Sequence, residues 1–401
     1  MTKQPYKTAF QEKSIRQNPY PFFRELLSEP AIPKVSNIWL LSRHEDCLKL
    51  LKYPSIGREL DGINFPEPCF ETHPLNFVMR HIFALKDAPD HTRIRNAFNP
   101  YFSRNDILRM RDLIQQEVDE LINQIEQEDT VELMHSYAVQ LPFKIISTLL
   151  GIPAEYHLRL ISWVHDLRQG LEDILPPMRK ETLLKANAAA KAIYELFSKL
   201  VTEKQQAPNN DLLSKFVLQA KGNLINFEEL VSGSILMLPA GTQTTLQTIG
   251  NSIYTLLRNE EQKHQFLELT DTQLDNAVEE LIRYESPVKC LMRTVKRDLV
   301  YRSHTMRRGE QVCFFYAAAN RDARVFPKPD TLDLMRPNTN HIAFSAGLHH
   351  CLGLHLGRLE VNIALKTLFQ RLPGIKLIHS EGQWEDSFFS RQLLTLPVTT
   401  R

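Results

Sequence analysis

From Ser103 to Gln127 the chain reads SRNDILRMRDLIQQEVDELINQIEQ, with apolar residues at Ile107, Met110, Ile114, Val118, Leu121 and Ile125. Steps of three and four put these side chains on one face of an α-helix, so the spacing predicts one buried helix over the stretch. A second long helix is predicted from Pro177 to Lys204. A third covers Asn226 to Arg258. Asn226 and Glu229 stand three apart at its start, the spacing of a capping box. At ~1.5 Å of rise per residue this helix is about 45–50 Å long. Its interior holds Pro239 and Gly241. Pro239 has no amide donor and its ring crowds the preceding turn, so a kink or groove is expected there. Strand-like patches are few and short. The clearest is Gln311 to Tyr316 (QVCFFY), after the turn-like RRGE. The chain therefore reads as mainly α with a small β region. It has no internal repeat, low-complexity tract or long linker. The Pro-rich patches FPEP and FPKPD read as ordered loops.

Composition narrows the function classes. Over 401 residues, Lys and Arg total 48 and Asp and Glu 47, a net charge of +1. Nothing in that balance points to nucleic acid or an anionic membrane. The apolar run SILMLPAG falls far short of the ~20 residues that span a bilayer. The start, MTKQPYKTAFQEKSIRQNPYPFF, lacks the apolar core of a signal peptide. Five cysteines, at 47, 69, 290, 313 and 351, are odd in number and dispersed, which is no disulfide framework. A reducing, cytoplasmic location is expected.

The chemistry concentrates in FSAGLHHCLG, Phe344 to Gly353. Gly347 and Gly353 flank Cys351, and LGLHLGRLEVNIALKTLFQRL after it reads as a helix with Leu352, Leu356, Leu359 and Ile363 on one side. A cysteine at a helix N-terminus is biased towards thiolate by free amides and the helix dipole. Three readings follow from the loop alone. Cys351 is a buried structural residue, or it binds zinc with His355 on the same helical face and His349 nearby, or it is the axial ligand of a haem iron. Zinc usually takes four ligands, and no second cysteine pair stands close in sequence. A porphyrin needs room beside the sulfur, which glycine supplies, and its propionates need donors such as His349.

The loop resembles the cysteine-ligand loop of the cytochrome P450 family, Phe-x-x-Gly-x-His-x-Cys-x-Gly. Phe344, Gly347, His349, Cys351 and Gly353 fill every patterned position. Further segments resemble the family in the expected order, and the likeness runs from NPYPFFRELL to RQLLTLPV. EELIRYESP carries Glu280 and Arg283, three apart on one helical face. Alone they read as a solvated pair worth little. The resemblance implies a buried triad with Arg336 of FPKPDTLDLMRPN, fixing the cysteine loop. His91 and Arg95 of DAPDHTRIRNAFNP share a helical face. Alone they suit a charged surface helix; the resemblance makes them propionate ligands, with Arg293 of SPVKCLMRT a third. Ala240, Gly241 and Thr244 match the Ala-Gly-x-x-Thr segment that opens the dioxygen groove in the family's long central helix over the haem. SNIWLLSRHEDCLKLL resembles the family's strand and following helix.

The resemblance thus implies a single P450 domain over 1–401, β-rich near the N-terminus and around 290–316. It implies haem b (iron protoporphyrin IX), a monooxygenase reaction, and electrons from a separate ferredoxin- or flavodoxin-type donor with its reductase. Arg93, His350 and Arg358 are candidates for a basic docking face. A monomer free of nucleic acid and membrane is expected. One position departs: members commonly carry an acid before the groove threonine, and here it is Gln243. An amide does not cycle protons as a carboxylic acid does, so slower or substrate-assisted proton delivery is expected. Desaturation, ring coupling or peroxide-driven chemistry remain open beside hydroxylation. The pocket is expected from loop 57–85, region 165–180, the groove helix, Val288–Met292 and Phe388–Phe389. Leu236, Leu291, Met292, Phe388 and Phe389 make it apolar, and Lys289 either pairs an anionic or carrier-bound substrate or faces solvent. A medium-sized secondary metabolite is the expected substrate. The alternatives are a haem or gas-binding protein without turnover, and a zinc or thiol enzyme using Cys351 and His355.

Overall fold

A computed structural model of the chain describes residues 12–58, 71–172, 180–223, 225–337 and 339–401. In chain order, the elements used below are helices α1 (Lys13–Gln17), α2 (Tyr20–Ser28), α3 (His44–Leu50), α4 (Asp90–Arg95), α5 (Arg104–Leu108), α6 (Arg111–Ile125), α7 (Lys180–Gln206), α8 (Phe227–Leu257), α9 (Asp271–Tyr284) and α10 (Leu354–Arg371). Strands β1 (Lys34–Val35), β2 (Ile38–Leu41), β3 (Ile56–Gly57), β4 (Leu291–Val295) and β5 (Gln311–Phe314) form one sheet in the order β1-β2-β5-β4-β3. Among the described residues helix predominates and no helix is long and apolar enough to cross a membrane.

The predicted helix over Ser103–Gln127 is two helices. Ser103 caps α5 by accepting the Asp106 N–H, and the Met110 N–H turns back to the Ile107 carbonyl at 2.9 Å before α6 begins. The apolar period runs across this turn, but the chain gathers into two compact units and the boundary lies here: residues 58–110 belong to one and 111–141 to the other. Periodicity reports which face is buried, not against which body. The helix predicted from Pro177 begins at Lys180; Pro177 itself lies outside the described residues, as do FPEP and Cys69.

The first unit comprises residues 1–57, 111–141 and 244–401. Its sheet obeys period two. Trp39, Leu41, Val312 and Phe314 point to one face and pack with Cys47 and Leu50 of α3. Leu40 and Cys313, between them in sequence, point to the other and pack with Phe22, Phe23 and Leu26 of α2. Burying each such Leu or Phe contributes roughly 1.5–3 kcal/mol. The strand and helix expected in SNIWLLSRHEDCLKLL are β2 and α3. Helix α10 packs on α6 and α9, and the Tyr137 hydroxyl donates to the Ala364 carbonyl at 2.8 Å.

The second unit comprises residues 58–110 and 142–243. Its centre is α7 packed along the helix His157–Glu172. The capping box at the start of α8 is formed: the Asn226 N–H donates to Glu229 Oε2 at 3.1 Å and the Glu229 N–H to Asn226 Oδ1 at 2.8 Å. Helix α8 then runs unbroken for 31 residues with Pro239 inside it. The missing amide leaves the Ile235 carbonyl without its helical donor, and the chain keeps its helical course through that turn. The boundary between the units falls within α8, after Gln243.

Candidate active site

In the first unit, Glu280 and Arg283 lie one turn apart on α9, both fully buried. Arg283 grips the carboxylate with two hydrogen bonds, Nε to Oε2 at 2.6 Å and Nη2 to Oε1 at 2.9 Å. Arg336 adds a third at 3.0 Å. Two guanidiniums against one carboxylate leave a buried positive charge. Backbone carbonyls absorb it: Arg283 donates to Asn320 and Pro329, and Arg336 to Pro327 and Thr331. The pair is therefore not a solvated one. Asn320 carries the order onward, because its side chain accepts the Ile342 N–H at 2.8 Å, two residues before Phe344.

The cysteine loop closes on itself. The Cys351 N–H donates to the Phe344 carbonyl at 3.0 Å, and Gly347–His349 form one tight turn between them. Gly347 has φ +72°, and a Cβ there would stand 2.6 Å from the Leu51 carbonyl oxygen, so conformation and space both demand glycine. Cys351 is half-buried and lies two residues ahead of Gly353, the N-cap of α10. It belongs to the loop, just before the helix end rather than on it.

Sequence reasoning missed what surrounds Phe344. The Arg358 guanidinium lies 4.8 Å from the Phe344 ring centroid and the His341 ring 5.6 Å from it. Glu279 binds Arg358 through two 2.6 Å hydrogen bonds and lies 3.3 Å from His341 Nε2. Burial pushes the Glu279 carboxyl up, but these two partners outweigh it and hold it below the ordinary carboxylate range. The spacing of Glu279 to Glu280 gives no hint of this, since the partners lie more than sixty residues away.

Arg293, on β4, is 5% exposed. Its donors meet only neutral oxygens, the Met292 carbonyl at 3.0 Å and the Tyr316 hydroxyl at 3.5 Å. Among the described residues no carboxylate pairs with it. Tyr316, also missed by sequence reasoning, shares a 3.1 Å hydrogen bond with Ser345 of the cysteine loop.

Helix α8 has one accessible stripe. From Leu230 to Leu256 every residue is buried except Leu236, Pro239, Ala240, Gly241, Gln243 and Thr244. Leu236, Ala240, Gln243 and Thr244 recur at three- and four-residue steps, so they line one face. The Thr244 carbonyl accepts the Thr248 hydroxyl at 2.7 Å. In the second unit, α4 carries His91, buried, and Arg95, half-buried, which donates to Asn99 Oδ1 at 3.1 Å.

Comparison with known proteins agrees with this geometry. The sequence profile described as Cytochrome P450 matches residues 61–395. The polyketide biosynthesis cytochrome P450 PksS of Bacillus subtilis (strain 168) is 33% identical over 371 residues, covering 90% of this chain and 88% of the relative. The chain belongs to the cytochrome P450 family. A vitamin D(3) 25-hydroxylase of Pseudonocardia autotrophica is 32% identical, with 96% and 94% covered. Among solved structures, P450BioI, in complex with hexadec-9Z-enoic acid ligated acyl carrier protein, superposes with a TM-score of 0.89 at 30% identity, covering 97% of this chain and 100% of that one.

As a P450 the protein is a monooxygenase, and the family's cofactor is a haem iron. The residues fit such a group. Arg293 is a buried cation lacking a carboxylate, which a propionate supplies. A Cβ at Gly353 would meet no heavy atom within 4 Å, so a flat ring has room beside the loop. The zinc reading fares worse: among the described residues no three His, Cys, Asp or Glu side chains gather as a metal site. Replacing Arg293 with leucine is expected to lower haem content of the purified P450 at least about tenfold, by loss of a charge-assisted pair; haem-to-protein absorbance checks this.

Other expectations need correction. Lys289 neither faces solvent nor is free to meet a substrate: it is 3% exposed and donates to the backbone carbonyls of Arg16 and Ser387. Leu291 and Met292 are strand neighbours and point to opposite sides. Met292 packs against the cluster of Phe22, Phe23 and Leu26, as Phe388 and Phe389 do, and Leu291 against the α3 cluster. Two arginines of the expected basic face are neutralised, Arg93 by Asp90 and Glu229 and Arg358 by Glu279. Of the expected pocket segments, residues 59–70 and 173–179 lie outside the described residues.

Proposed function

We propose that this P450 holds haem b through Cys351 and oxidises a medium-sized, apolar secondary metabolite, free or carrier-bound. Electrons come from a separate ferredoxin- or flavodoxin-type donor and its reductase. The observation that carries this reading is the stripe on α8. Between Leu230 and Leu256 a helix otherwise buried leaves accessible, beside Pro239 and Gly241, an apolar approach, Leu236 and Ala240, that ends at the polar pair Gln243 and Thr244. Half-buried Met292, Phe388 and Phe389 add an apolar surface in the first unit. The relatives named above act in polyketide biosynthesis, on vitamin D(3), or with a fatty-acyl carrier protein, which favours a ligand with much apolar surface.

When bound, a thiolate-ligated haem supplies the dioxygen chemistry, its sulfur pushing electron density that favours O–O cleavage. The chain's own residues do the rest. The Glu280–Arg283–Arg336 triad and Asn320 hold the loop that presents the Cys351 sulfur. Arg293, a buried cation without a carboxylate among the described residues, would donate to a propionate; for His91 and Arg95 the same role rests on the family resemblance alone. Thr244 offers its hydroxyl proton, and Gln243 orients water with its amide but cannot release a proton at neutral pH.

Proton supply is therefore the weak point of the site. Gln243→Glu is expected to raise the rate of product formation, by up to ~10²-fold, the lower end of what a positioned acid contributes. Turnover that falls in this variant would count against the assignment. The reading as a whole is tested by screening a library of apolar metabolites for spin-state shifts of the haem, then assaying the hits with a surrogate reductase and ferredoxin. Hits that shift the spectrum and are oxidised support it. Ligands that bind without any oxidation favour a haem-binding protein without turnover.

A further inference from the structure

Lys289 lies at the centre of a connection that the function above does not use. Its ammonium donates to the carbonyl of Arg16, in the last turn of α1, at 2.7 Å, and to that of Ser387 at 2.5 Å. The last carbonyls of a helix lack partners within it and favour a cation. Arg391 supplies a second cation there, donating to the Gln17 carbonyl at 2.5 Å. The loop 384–391 is held from the same side at two further points. Arg16 binds Asp386 through two hydrogen bonds, of 2.5 and 3.0 Å, and Gln17 donates to the Trp384 carbonyl at 3.0 Å. Within the loop, the Arg391 guanidinium lies 3.1 Å from the Trp384 ring centroid. The field of Lys289 adds to that of Arg16 in holding the Asp386 carboxyl below its ordinary range. From the other side, the Lys289 N–H donates to the Phe389 carbonyl at 2.7 Å and Cys290 Sγ to that of Phe388 at 3.7 Å.

We propose that Lys289 is a positioning residue for substrate: it rivets α1 to the loop 384–391 and so sets where Phe388 and Phe389 stand. The inference rests on the reading that these two rings contact substrate. A lysine buried to satisfy two carbonyls from segments about 370 residues apart in sequence fixes one arrangement of both. Without it, two buried acceptors lose a charged donor, and the loop opens more readily.

The test compares haem-loaded wild-type enzyme, Lys289→Met, and a Phe388→Ala/Phe389→Ala double variant. Hydrogen exchange of the amides in 384–391 reports the rivet. Affinity for imidazole and for 4-phenylimidazole, read from the Soret shift, separates iron access from contact with the rings. In Lys289→Met, exchange in the loop is expected to rise at least about tenfold. Imidazole affinity should stay within about twofold while 4-phenylimidazole affinity shifts by about fivefold or more, since only the larger probe reaches beyond the iron. Unchanged exchange overturns the rivet. Unchanged phenylimidazole affinity in Lys289→Met, with a shift in the double phenylalanine variant, overturns positioning while the pocket reading stands. No shift in either overturns the pocket reading itself. Should Lys289→Met not fold, Asp386→Asn weakens the same connection from its solvent side and is read in the same way.

Discussion

Cys351→Ser is expected to reduce monooxygenase turnover to background and to remove the thiolate signature from the haem spectrum, while the fold survives. A serine hydroxyl is not ionised at neutral pH and cannot donate to iron as a thiolate does. The structural cost is small. Cys351 is half-buried, and what closes the loop is its backbone N–H to Phe344, which serine keeps. Stability of the haem-free chain is therefore expected within about 0.5 kcal/mol of wild type. Absorption spectra, an NAD(P)H-coupled assay and thermal unfolding check the three parts separately. A preserved thiolate spectrum would mean that another residue is the ligand.

Glu280→Gln is expected to be strongly destabilising although it is conservative in shape. The variant keeps shape but leaves the Arg283 and Arg336 guanidiniums, 0% and 5% exposed, without a counter-charge. Breaking a buried pair in this way costs about 3–5 kcal/mol. That is a large share of the roughly 5–15 kcal/mol that holds a typical domain folded. The loss passes to the cysteine loop, because the Asp333 N–H also bonds Glu280 and Arg283 anchors the Asn320 carbonyl. Denaturant midpoints and haem retention measure it. A cost below about 1 kcal/mol, the range of exposed ion pairs, would show that the charge is not confined as the geometry says.

The closed cysteine loop, the Glu280–Arg283 pair and the long helix were legible because each is announced within a few residues, whereas the burial of the pair and its third member, Arg336, came from the family resemblance alone. Phe344 to Gly353 carries its own pattern, and Glu280 and Arg283 share one turn. Asn226 and Glu229 form the box that their spacing implies. What escaped notice joins distant segments. Nothing in the neighbourhood of Tyr316 marks it as the link between Arg293 and Ser345. Glu279 owes its role to His341 and Arg358. Lys289 looked like a substrate contact or a surface residue because its true partners, the backbone oxygens of Arg16 and Ser387, carry no side-chain signal. The break between α5 and α6 was hidden for a related reason: apolar spacing records burial and is silent about a change of packing partner.

The central claim is that Cys351 carries a thiolate-bound haem. The most direct measurement is the spectrum of the unmodified protein after reduction and exposure to carbon monoxide. A Soret band displaced to the red, as sulfur ligation produces, is the predicted result. A band typical of histidine ligation, or a colourless protein that takes up no haem, would contradict it.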